Sequence, residues 1–160
     1  MKKIIVISTI FFLFFSCNSK SVNIFEIELP NETIESKKFD INDYKNKLVI
    51  LNFWFPSCPP CAYELEILNE INKELDSTSI IGVQVVGLDT QDDGVKMFQN
   101  KKILYKSIMD NGDHLVQNFE ITVFPTTILF DNEGDEIKRW IGIIDKEKVK
   151  KEITSIQTNE

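Results

Sequence analysis

The sequence predicts an α/β domain with a mixed central sheet flanked by helices. Two continuous apolar runs, residues 47–53 and 80–88, have the composition of strands buried on both faces. Between them, residues 59–75 place Ala62, Leu65, Leu68, Ile71 and Leu75 at helical spacing. Strand, helix, strand at this separation is a crossover unit, so the two strands run parallel. Near the end, residues 126–130 and 136–141 flank Asp131-Asn132-Glu133-Gly134, a turn composition that folds two strands into an antiparallel hairpin.

The remaining elements follow in order. Lys2 and Lys3 precede a nearly unbroken apolar stretch over residues 4–15, interrupted only by Ser8 and Thr9. Its length suits the apolar region of a signal peptide and is too short for a usual membrane span. It ends at Phe14-Phe15-Ser16-Cys17, which resembles a bacterial lipobox with Phe14 in the place of the usual Leu. That resemblance implies cleavage before Cys17 and lipid on its thiol. Residues 1–16 are then a leader, 17–22 a lipidated polar tether and 23–158 the domain. An apolar/polar alternation over residues 22–29 reads as a strand, stopped by Pro30-Asn31, and residues 33–40 as a second. Asp40 caps a helical turn. A helix within 89–102 turns Val95, Met97 and Phe98 inward. Residues 107–109 form a short strand and 114–119 a short helix. A terminal helix, capped by Asp145, runs to about residue 156 with Val149 and Ile153 facing the core.

At 160 residues the chain is long enough for one domain with a real core. A formal net charge of −7 and a pI near 4.8 argue against a nucleic-acid surface. The short basic clusters, such as Lys101-Lys102, read as solvated faces. An exported chain works in an oxidising or redox-managed compartment, where a cysteine pair carries meaning.

That pair is Cys58-Pro59-Pro60-Cys61, at a strand-to-helix junction. A Cys-x-x-Cys is either a redox couple or half of a zinc site. A structural zinc takes four ligands. With Cys17 assigned to lipid, Cys58, Cys61 and the one histidine, His114, fall short of that number, so no metal site is expected. His114 reads as helix surface. At the start of a helix, free amide N–H groups and the helix dipole stabilise a thiolate on Cys58. Cys61 lies one turn on, within reach of a mixed disulfide formed there. Pro59 suits the first helical position, and Pro60 removes a further N–H. Downstream, Pro125 directly precedes an apolar strand. A cis bond there would turn the backbone of Phe124 toward an extended peptide; a trans proline would merely start the strand.

Phe53-Trp54, Cys58-Pro59-Pro60-Cys61, Glu64 and Pro125-Thr126-Thr127 together resemble the thioredoxin superfamily, and within it the TlpA/ResA branch of membrane-tethered thiol-disulfide oxidoreductases. The resemblance spans residues 24–156. It implies a thioredoxin-like fold, here with an added N-terminal β-hairpin, in which Cys58 is the nucleophile, Cys61 the resolving cysteine and Pro125 cis. It places Glu64 as a buried acid near the dithiol; the residues alone leave Glu64 equally readable as a solvated helix position. It puts Trp54, Phe124, Pro125 and Thr126 at the docking site. The implied partners are client proteins with cysteines or disulfides and a membrane thiol reductase as electron donor, with no cofactor. The implied direction is reduction, in cytochrome c maturation for example. The alternative is a redox-inert or metal-carrying binding module. Three departures stand out: Ser57 where relatives often have Trp, Glu66 where Pro is common, and Ala62 in place of Lys or Arg.

Overall fold

The computed structural model describes residues 22–87 and 89–158. Five strands form one mixed sheet: β1 (Leu48–Trp54), β2 (Thr78–Val85), β3 (Lys106–Asp110), β4 (Thr126–Phe130) and β5 (Glu136–Ile141), in the order β3-β2-β1-β4-β5. β1 is central, parallel to β2 and antiparallel to β4. β3 adds parallel to β2, and β5 adds antiparallel to β4. The helices are α1 (Pro59–Glu74), α2 (Gln91–Lys101), α3 (His114–Asn118) and α4 (Lys146–Gln157).

Strand pleating sends alternate residues of β1 to opposite faces. Leu48, Ile50 and Trp54 join a core under α1, α2 and α4, which contribute Leu65, Leu68, Phe98, Val149 and Ile153. Val49, Leu51 and Phe53 enter a second core closed by α3 and the N-terminal segment, with Ile24, Phe39, Leu115 and Phe119. All seven residues of β1 are buried, as its unbroken apolar run requires. Trp54 stacks on Phe98 at 5.1 Å between ring centroids, and Phe98 meets Tyr105 edge-on at 5.6 Å. This aromatic column fixes α2 against the sheet.

The caps read from sequence are present. The Asp40 carboxylate accepts from the Asn42 N–H at 2.9 Å, and Asp145 accepts from the Lys148 N–H at 3.0 Å. The β4–β5 turn has Gly134 at φ +92°, where a Cβ would lie 2.3 Å from the Phe25 ring. Glycine therefore answers both the left-handed backbone and the close packing. Lys146 bridges Glu70 and Glu74 of α1 while Lys150 takes the other Glu74 oxygen, clipping α4 to α1 at the surface. Hydrogen bonds from these two lysines hold the Glu74 carboxyl down to about 2.

Two expectations change. The N-terminal hairpin is reduced to single bridges, Asn23 with Asp135, Glu32 with Lys38 and Thr33 with Ile108. Residues 24–27 turn instead of extending, because the Asn23 side chain bends the segment locally. Its Oδ1 accepts from the Phe25 N–H at 2.9 Å, and its Nδ2 donates to Glu133 O and Asp135 Oδ1. β2 ends at Val85, three residues early: Val86 and Gly87 are exposed, and residue 88 lies outside the described residues. The leader, Cys17 and the tether as far as residue 21 also lie outside them. Among the described residues no helix is long and apolar enough to cross a membrane.

Truncating Phe98 to Ala removes the ring that both Trp54 and Tyr105 pack on. Urea unfolding of Phe98→Ala is expected to show a loss of about 3–5 kcal/mol. A loss below about 1 kcal/mol would show that the column does not hold α2.

Candidate active site

α1 begins at Pro59, directly after β1 and a short loop, so the Cys58–Cys61 pair sits at the C-terminal end of the central strand. The two cysteines form a disulfide with Cα atoms 5.2 Å apart. The local sequence sets what the helix start can offer. Pro59 and Pro60 are the first two helical residues and have no N–H. The next donor, the Cys61 N–H, points at Cys58 Sγ at 3.2 Å. The Ala62 N–H already serves the helix through the Cys58 carbonyl at 3.0 Å. One backbone donor of the first turn is thus directed onto the Cys58 sulfur, where it favours a thiolate. Cys58 is 4 % exposed and Cys61 fully enclosed, so an approaching partner meets the sulfur of Cys58 first.

Glu64 lies three residues after Cys61 on the same inward face of α1 and is completely buried. Its carboxylate is held by three donors. Asn52 Nδ2 on β1 and Thr127 Oγ1 on β4 donate to Oε1 at 2.8 and 2.7 Å. The Ile144 N–H, just before α4, donates to Oε2 at 2.7 Å. Burial raises the Glu64 pKa above the ordinary 4.5, and the three bonds oppose that rise. Tyr105 is pushed well above its usual range, first by burial and then by the Glu64 charge. Of the two readings of Glu64, the buried acid is the one the fold realises.

The second loop places Pro125 after a cis Phe124–Pro125 bond. Phe124 is half-buried and meets Phe55 edge-on at 5.3 Å, which joins this loop to the one bearing Cys58. The Pro125 carbonyl accepts from the Gly142 N–H at 2.8 Å. Exposed Val123, Ile141 and Ile143 flank it. Sequence reading missed Ile141 and Ile143 as part of this surface. Their exposure on an edge strand and the following loop gives no periodic signal.

Two docking residues need correction. Trp54 is fully buried, its ring on Phe98 and its Nε1 donating to Ser107 Oγ at 3.2 Å. It supports the floor of the site and cannot touch a partner. Thr126 is 2 % exposed and donates its hydroxyl to Val123 O at 2.7 Å, so it braces the loop from within. His114 is exposed on α3 beside Asn118.

The departures acquire partners. Glu66 pairs with Lys101 of α2 at 2.6 Å. Ser57 is seated on Asp89, which sequence reading passed over: its N–H and hydroxyl both donate to Asp89 Oδ2, at 3.0 and 2.7 Å. Ser57 alone carried a signal there.

A helix-start disulfide, a buried acid one turn behind it and a cis-proline loop beside it define a protein of thiol-disulfide exchange. A thioredoxin-like domain model matches residues 36–157. The chain is 32 % identical over 128 residues to the thiol-disulfide oxidoreductase ResA of Bacillus thuringiensis (strain Al Hakam), covering 76 % of this chain and 72 % of that protein. The crystal structure of StoA from Bacillus subtilis superposes with a TM-score of 0.67 at 26 % identity, covering 81 % of this chain and 97 % of that one. A thiol:disulfide interchange protein of the DsbE type from Chlorobium tepidum has the same fold, with a TM-score of 0.74 at 18 % identity over 84 % of this chain and 95 % of that one. The chain belongs to the thioredoxin-like family and is a thiol-disulfide oxidoreductase of the ResA/StoA type.

Because Glu64 titrates higher in the folded protein than at its ordinary 4.5, folding favours its protonated form. The stability this confers is complete below about pH 4.5 and is lost as pH rises through the folded value. Urea unfolding of the oxidised protein from about pH 4 to about pH 8 should show the wild type losing stability relative to Glu64→Gln over that rise. Parallel curves for the two proteins would refute it.

Proposed function

We propose that the chain is an exported, lipid-tethered reductant of client disulfides, with Cys58 as nucleophile and Cys61 as resolving cysteine. The observation that supports this best is the asymmetry of the pair: the less enclosed Cys58 sulfur receives the Cys61 N–H, and Cys61 is sealed in the core. In the reduced protein the Cys58 thiolate attacks one sulfur of a client disulfide. A Cys58–client bond forms and the other client sulfur leaves as a thiolate that takes a proton. The Cys61 thiolate then attacks Cys58 Sγ, the mixed disulfide breaks, and the second client thiol departs. Two electrons have passed to the client, and the protein holds the Cys58–Cys61 disulfide. Glu64 acts as the base for the Cys61 proton, since it lies one turn behind and burial holds its pKa above the usual carboxylate range. Phe124 and Pro125 receive the client backbone. A membrane thiol reductase restores the dithiol.

Clients are extracytoplasmic proteins with cysteines. The role implied by the ResA resemblance is cytochrome c maturation. The lysine-led apolar leader and Ser16-Cys17 support export and a lipid on Cys17.

Cys58→Ala is expected to abolish reduction of a model disulfide such as insulin, while Cys61→Ala accumulates mixed disulfides visible on non-reducing gels. Normal turnover by the Cys58 variant would sink the assignment. Intact mass of the membrane fraction should show a chain that begins at Cys17 with added acyl mass; an unmodified Cys17 thiol would remove the lipid tether.

A further inference from the structure

Ser57 directly precedes Cys58, and a single oxygen of Asp89 accepts both its N–H and its hydroxyl. This contact ties the loop after β2 to the loop after β1. Consecutive Cα atoms are about 3.8 Å apart, so the Asp89 carboxylate is seated on the residue that adjoins the nucleophile. The residues that follow Cys58 on the helix side, Pro59, Pro60, Cys61, Ala62 and Tyr63, carry no charge. On the proline-loop side, Val123, Ile141 and Ile143 expose apolar side chains. A negative charge therefore stands on the β2-loop flank of Cys58, while the neighbours named on the other two sides are uncharged.

We propose that Asp89, anchored by Ser57, is a specificity-determining residue that favours client disulfides whose cysteine is flanked by Lys or Arg over those flanked by Asp or Glu. The inference rests on the oxidoreductase reading above. As the Cys58 thiolate attacks, negative charge spreads over the attacking, central and leaving sulfurs. The Asp89 carboxylate opposes that charge. A client cation beside the cysteine offsets the repulsion and meets Asp89 directly, whereas a client carboxylate adds to it. Where a large side chain before the nucleophile would select clients by shape, Ser57 leaves the flank open and Asp89 selects by sign.

The test uses two synthetic disulfide-linked peptide dimers, identical except for Lys or Glu on both sides of the cysteine. Their rates of reduction by the reduced protein are divided by their rates with dithiothreitol, which removes intrinsic reactivity. The wild type is expected to favour the Lys peptide about fivefold, the scale of exposed charge pairs. The preference should fade near 1 M salt, where the Debye length is about 3 Å. Asp89→Asn keeps an oxygen to accept both Ser57 donors, so the loop stays seated while the ratio falls to about one. Asp89→Lys should reverse the preference. A wild-type ratio near one, or a ratio retained in Asp89→Asn, overturns the inference. Equal reduction of both peptides overturns this specificity alone; reduction of neither overturns the oxidoreductase reading and this inference with it.

Discussion

Glu64 is one carboxylate, and four parts of the chain meet on it. It is carried by α1, bonded by Asn52 from β1 and Thr127 from β4, and closed by the amide of Ile144 at the entrance to α4. Burying a carboxyl group without partners costs several kcal/mol, so the site is tolerable only while all three donors are in place. The reactive end of the sheet is therefore coupled to the chain segments that build it. A shift of α1 moves the acid, and loss of the acid leaves Asn52, Thr127 and Ile144 with polar groups facing a core. Asn52 Oδ1 and the Tyr105 hydroxyl already lack hydrogen-bond partners among the described residues. The polar pocket is thus held by the carboxylate more than by its neighbours.

The start of α1 shows a complementary economy. Most helix N-termini present several free N–H groups. Here two prolines remove donors and the Cys61 amide is directed at one sulfur. The chemistry of the site depends on that single direction, which the spacing of the cysteines and the order of the prolines determine.

Much of this was legible in the residues. Buried strands announce themselves by continuous apolar runs, which located β1 and the parallel crossover, while the Asp131–Gly134 turn composition located the β4–β5 hairpin. Asp40 and Asp145 cap helices through bonds to amides two or three residues on, so local sequence suffices. What was not legible depends on contacts between distant segments. Trp54 reads as an amphipathic ring available to a partner until Phe98 and Ser107 are seen to enclose it. Thr126 reads as part of a docking edge until its hydroxyl is seen to turn back on Val123. The alternation of residues 22–29 reads as a strand, but Asn23 finds its partners on a turn more than a hundred residues away and bends the segment. Asp89 had no signal at all, because its meaning lies in the serine it holds.

That Asn23 contact also fixes a direction. β1 runs toward the disulfide, and its antiparallel partner β4 runs away from Pro125 to the turn that Asn23 grips. The described chain therefore enters at the end of the sheet opposite Cys58. The seven residues of β1 span about 20 Å. The length of β1 therefore separates the reactive sulfur from the point where the described chain begins.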